Sequence, residues 1–121
     1  MISEMANQKA PPETVVCIYR VAKGNEAKFT KLLERHWPTL RKLHLVTRKK
    51  PVHYRGAEQR DGRPLFFEIF EWASGDGSKL ASEHADVMEI WERMDQLTEQ
   101  RGDKPNMEFP HVRALELVGR A

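Results

Sequence analysis

One cysteine, Cys17, is all that this 121-residue chain contains. It can therefore close no internal disulfide and build no cysteine-based zinc cage. No apolar run approaches the roughly 20 residues that a membrane-spanning helix requires. An excess of one charge is missing too: 20 basic and 18 acidic residues are mixed along the chain. Nucleic-acid binding draws on clustered Lys and Arg, which this pattern does not supply. The opening MISEMANQKAPPE has neither a basic n-region nor an apolar h-region, so it does not read as a secretory signal. A cytoplasmic protein is expected, with neither nucleic acid nor membrane among its partners. There is no GxGxxG after a strand pattern, no Walker loop and no GxSxG. The stretch EHADVMEIWE lacks HExxH spacing, and the histidines at 36, 44, 53, 84 and 111 are dispersed. No metal site is expected.

What remains is a composition of 40% hydrophobic and 31% charged residues, which suits one folded domain. Residues 1–12 are polar and end in Pro11-Pro12, a flexible tail by composition; the domain is expected over 13–121. TVVCIYRV (14–21) is rich in β-branched residues and reads as a first strand. After Asn25, a candidate N-cap, Phe29, Leu32, Leu33, Trp37, Leu40 and Leu43 recur at helical spacing. Pro38 falls within that pattern and predicts a kink or restart near His36-Trp37. PVHYRGAE (51–58) and LFFEIFEWA (65–73) read as a hairpin around Asp61-Gly62. A second helix is predicted over 79–100 on the stripe Val87, Ile90, Trp91, Met94 and Leu97. A fourth strand is predicted within 107–118, starting at His111 or lying on an edge because Pro110 cannot donate.

The order β-α-β-β-α-β is the ferredoxin-like pattern of the α+β class, with a four-stranded antiparallel sheet. In FFEIFEW (66–72) alternation puts Phe66, Glu68, Phe70 and Trp72 on one face and Phe67, Ile69 and Glu71 on the other. Both faces are largely apolar. Two helices cover one of them, and a second copy of the chain is the simplest cover for the other. A homodimer joined through its sheet faces, a dimeric α+β barrel, is expected.

Three stretches carry a family resemblance: VVCIYRVAKGNEAKFTKLL, FEIFEWASGDGSKLASEH and DVMEIWERMDQL. With them the chain resembles, over about 14–118, the antibiotic-biosynthesis-monooxygenase (ABM)-like branch of the dimeric α+β barrels. Members include cofactor-free monooxygenases of polycyclic aromatics, quinol-directed oxygenases and haem-degrading enzymes. The haem-degrading members carry an Asn on the first strand, a Trp ending the third and a His on the second helix. Trp72 and His84 stand at the latter two positions, whereas Cys17 stands at the first, which argues against haem degradation. The resemblance implies oxidation of an aromatic or quinone-like small molecule without a cofactor.

Candidate site residues follow from residue chemistry and from this resemblance. His84 is a candidate general base, or simply a surface or capping histidine. Glu68, in mid-strand, needs a partner; Arg20, His53, Arg55, His111 and Arg113 are within conceivable reach. It is either ion-paired, or a proton-transfer group with a raised pKa. Trp72, Phe70 and Trp91 are candidate walls of an aromatic substrate pocket, with His36 and Trp37 beside the proline; each is equally readable as core. Cys17 reads as a small buried hydrophobe. Two functions stay open: a cofactor-independent monooxygenase, or a non-catalytic barrel that binds an apolar ligand or acts only as a dimeric module.

Overall fold

The structure, a computed structural model, describes residues 10–119. Most of the tail expected over 1–12 lies outside those residues. Strand β1 (Glu13–Tyr19) leads into helix α1 (Glu26–Lys42), followed by β2 (Val52–Ala57) and β3 (Pro64–Trp72). Helices α2 (Gly77–Ala81) and α3 (Ala85–Leu97) and the short strands β4 (Met107–Glu108) and β5 (His111–Val112) complete the fold. The sheet runs β2-β3-β1-β4, with β5 also on β1, and its pairings are antiparallel. This is the expected ferredoxin-like arrangement, with β3 inserted between β1 and β2. Among the described residues no helix is long and apolar enough to cross a membrane.

Three expectations change in detail. Helix α1 runs through Pro38 without a restart; Asn25 takes its N-cap position, but the side chain donates to the Leu97 carbonyl (3.3 Å) instead of capping. The helix ends where His44 adopts a left-handed φ of 62°. There Leu45 N–H reaches the Leu40 carbonyl and His44 N–H that of Arg41, both at 3.0 Å, the paired closure of a Schellman motif. The second helix breaks in two around Ser82–His84, where His84, in extended conformation, is the N-cap position of α3. The predicted fourth strand keeps only two two-residue pieces, interrupted at Phe109-Pro110. Proline has no N–H to give the ladder, although its carbonyl still accepts from Val16 N–H at 2.9 Å.

Register decides what each face carries. Opposite residues of an antiparallel pair share a face, so Val15–Phe70, Cys17–Glu68 and Tyr19–Phe66 lie together under α1 and α3. This face is buried together with Phe29, Leu32, Leu33 and Leu40 of α1 and Val87, Ile90 and Met94 of α3. The reverse face pairs Val16 with Ile69, Ile18 with Phe67, and Tyr54 with Phe67. Among the described residues no helix covers it, and Val52 and Tyr54 are exposed.

Candidate functional site

Glu68 sits at the centre of the helix-covered face, with no solvent exposure. β3 brings it there by alternation alone. Its Oε1 accepts the Tyr19 hydroxyl (2.8 Å) and lies 2.8 Å from His36 Nδ1. Its Oε2 lies 2.9 Å from His53 Nε2. His53 faces Glu68 because the β2–β3 register pairs the two residues. Of the five partners considered from sequence, only His53 reaches it. Arg20 instead pairs with Glu108 at 2.7 Å, Arg55 lies over the Phe66 ring, and His111 bonds Glu13. Arg113 lies beyond β5, in no strand.

Two partners were not identified from the sequence. Tyr19 shares a face with Cys17, two residues away, and a phenol closing an apolar, β-branched strand looks like core. His36 falls on the α1 stripe Phe29, Leu32, Leu33, His36, Leu40, all buried. A histidine on the apolar stripe directly above a strand carboxylate was the signal available.

The chain of contacts goes one step further. Trp91 Nε1–H donates to His36 Nε2 at 2.9 Å. An indole nitrogen only donates, so His36 Nε2 presents its lone pair and the ring proton lies on Nδ1, directed at Glu68. The carboxyl of Glu68 is held below its ordinary 4.5. Burial works to raise it, but electrostatic attraction to the His36 ring and hydrogen bonds from His36, His53 and Tyr19 outweigh burial. The reading of Glu68 as a proton-transfer acid with raised pKa is therefore corrected: it is the ionised, paired carboxylate. Its charge and their own burial act on its neighbours. Burial first, then Cys17 and Glu68, pushes the Tyr19 phenol well up. Burial, then Glu68, pushes the Cys17 thiol far above its ordinary range, with the nearby Tyr19 hydroxyl acting the other way. Cys17 is thus a protonated thiol with no nucleophilic character.

Beside this network lies an apolar cavity of about 90 Å³. Its floor is Val15, Cys17, Phe70 and Trp72 of the sheet, and its far wall is His36 and Trp91. Ser78, Phe109 and His111 complete the lining, so the break in the edge strand borders the cavity. Trp72 is positioned by Gly77: a Cβ there would come within 2.4 Å of Trp72 Cε3, so only glycine lets α2 rest on the indole. The buried Trp72 Nε1–H has no acceptor among the described residues.

The structure thus brings together Glu68, His36, Trp91, Phe70 and Trp72 of the residues read from sequence. Trp37 packs against the core and His84 at the α3 N-cap position is half-buried; neither lines the cavity. Among the described residues no group of three or more His, Cys, Asp or Glu is arranged to hold a metal ion.

Compared by sequence, the chain matches no protein-family model and no curated protein. Compared by structure, it is similar to SnoaB, a cofactor-independent oxygenase from Streptomyces nogalater. The TM-score is 0.62 at 16% identity, covering 92% of this chain and 100% of SnoaB. An asparagine-to-alanine variant of SnoaB gives 0.64 at 14% identity, with the same coverage. A NIPSNAP family protein from Agrobacterium tumefaciens gives 0.59 at 12% identity, covering 91% of each chain. At such identities the likeness establishes a shared fold, the ferredoxin-like α+β arrangement expected from the sequence.

Proposed function

We propose that this protein is a homodimeric, cofactor-independent monooxygenase of an aromatic or quinol-type small molecule, with His36 as its general base. One observation carries the reading: a histidine oriented by a buried, ionised carboxylate stands on the wall of an aromatic cavity. A carboxylate behind one ring nitrogen fixes the tautomer and stabilises the imidazolium that forms when the other nitrogen takes a proton. This geometry favours His36 over His84 as the base, and makes Glu68 its orienting partner. Phe70, Trp72 and Trp91 supply the ring-facing walls.

The chemistry balances with dioxygen as the only co-reactant. Once the bound substrate displaces the Trp91 indole N–H from it, His36 Nε2 removes a proton from a ring CH₂ made acidic by a neighbouring carbonyl or phenol. The carbanion gives one electron to dioxygen, the radical pair joins, and His36 returns the proton to the peroxide. Loss of water then leaves a carbonyl, so CH₂ and O₂ become C=O and H₂O.

A second reading, an apolar-ligand-binding barrel without catalysis, draws on the size of the cavity. A dry cavity of about 150 Å³ accepts benzene, and this one measures about 90 Å³. A polycyclic substrate has to displace Trp91 or extend past Phe109. Oxygen uptake across anthrone- and quinol-type compounds separates the two. Uptake that disappears in His36→Gln supports the enzyme; binding without uptake supports the alternative.

The dimer rests on the uncovered sheet face, where Val16, Ile18, Phe67 and Ile69 meet exposed Val52 and Tyr54. A contiguous apolar surface of this kind marks an association site. Sedimentation at micromolar concentration is expected to give twice the 14.1 kDa chain mass, and Phe67→Asp to return it to one. A wild-type monomer removes the barrel from the account.

A further inference from the structure

The hydrogen-bond network continues past Glu68 to the surface. Its Oε1 faces His36 and the cavity; its Oε2 faces His53, whose side chain is 39% exposed on edge strand β2. A fully buried carboxylate demands a compensating positive charge, because an uncompensated one costs several kcal/mol. Donor and acceptor roles decide which imidazole supplies it. His36 Nε2 already accepts the Trp91 N–H, so His36 is neutral while that bond stands. His53 has no such constraint, and its partly exposed ring leaves water access to the second nitrogen. The other ionisable groups against Glu68, Tyr19 and Cys17 on β1, are held in their neutral forms. Glu34 of α1 and Arg55 of β2 line the outer groove with His53. Arg55 is largely exposed there and lies 3.7 Å from Glu26.

We propose that His53 and His36 share one positive charge across Glu68: it rests on His53, and a proton arriving at His36 from the cavity is matched by one leaving His53 to water. This deepens the reading of His36 as the base and rests on it. One proton enters the buried cluster and one leaves, so its net charge is unchanged through the deprotonation step. No proton has to cross the carboxylate, whose two oxygens each face an N–H. Formation of the His36 imidazolium also ends its acceptance from Trp91, so the cavity wall reports the state of the pair. His53 is a positioning residue in this scheme: it tunes the base without touching substrate.

Long-range proton–nitrogen NMR of the histidine rings in the full chain, near neutral pH and without substrate, tests this directly. In the wild type, His53 is expected to be doubly protonated and His36 protonated on Nδ1 alone, with the Trp91 indole proton in a strong hydrogen bond. His53→Gln keeps a donor for Glu68 but no charge. There His36 is expected to become doubly protonated, with the Trp91 signal shifted out of its hydrogen-bonded range; His53→Lys restores the wild-type pattern. A neutral His53 beside a doubly protonated His36 in the wild type overturns the proposal, without recourse to any variant. So does a His36 signal unmoved in His53→Gln. Because no turnover is read, the charge-sharing can fail while oxygen chemistry stands. Absent oxygen uptake beside the expected spectra would remove the enzymatic reading alone.

Discussion

Glu68→Ala is expected to destabilise the protein by about 3–5 kcal/mol, the range for removing one partner of a buried ionic network. The loss has two sources. Tyr19 and His36, at 0% and 3% exposure, keep donors with no acceptor, and each such orphan costs about 1–3 kcal/mol. The vacated side-chain volume adds a cavity under a sheet that cannot fully collapse. Urea unfolding is the measurement, with the midpoint lowered and the slope retained. Replacing the network together (Glu68→Leu, Tyr19→Phe, His36→Leu, Trp91→Phe) is expected to cost far less, since only the partly exposed His53 then loses a partner and water can serve it. A quadruple variant as unstable as Glu68→Ala would show that the site's polarity itself holds the fold.

His36→Gln is expected to lower turnover by about 10²- to 10⁴-fold, the range for a positioned acid–base group. Gln keeps a donor near Glu68 Oε1 and removes the basic nitrogen. The effect should therefore fall on kcat, with KM changed little, because the aromatic walls Phe70, Trp72 and Trp91 are kept. His84→Ala should leave both parameters near wild type, since that residue does not line the cavity. Oxygen-uptake kinetics across substrate concentration measure both. Equal losses in the two variants would return the base assignment to the α3 N-cap position.

How far the sequence reaches depends on the distance over which each feature is encoded. The strand order and the two faces of β3 follow from period-two alternation, and the burial of Phe66, Glu68, Phe70 and Trp72 is that alternation in three dimensions. The need of Glu68 for partners was legible for the same reason. Of their identities only His53 was among the candidates, because register and docking decide the set: His53 arrives through the β2–β3 pairing, Tyr19 through β1–β3, and His36 through the docking of α1 on the sheet. His84 stands at the start of the long helix, but the break just before it was not legible. Ser82–His84 interrupts a charged, helix-favouring stretch that carries no glycine or proline to announce a break. The fourth strand was overextended at 107–118, since β-propensity in ALELV says nothing about whether a partner strand is alongside. Pro110, by contrast, interrupted pairing as a missing N–H requires.

The protonation state of Glu68 decides the account most directly. Its folded pKa lies below the ordinary 4.5, so the unfolded chain takes up the proton first as pH falls. The stability that the charge contributes is complete above 4.5 and declines below it, to be lost through the folded value. Carbon-13 NMR of the Glu68 side-chain carboxyl, followed from neutral pH downward until acid unfolding, should show an ionised group with its midpoint below 4.5. A midpoint above that value would make Glu68 a protonated acid at mild pH, and would contradict its role in holding His36 toward the cavity.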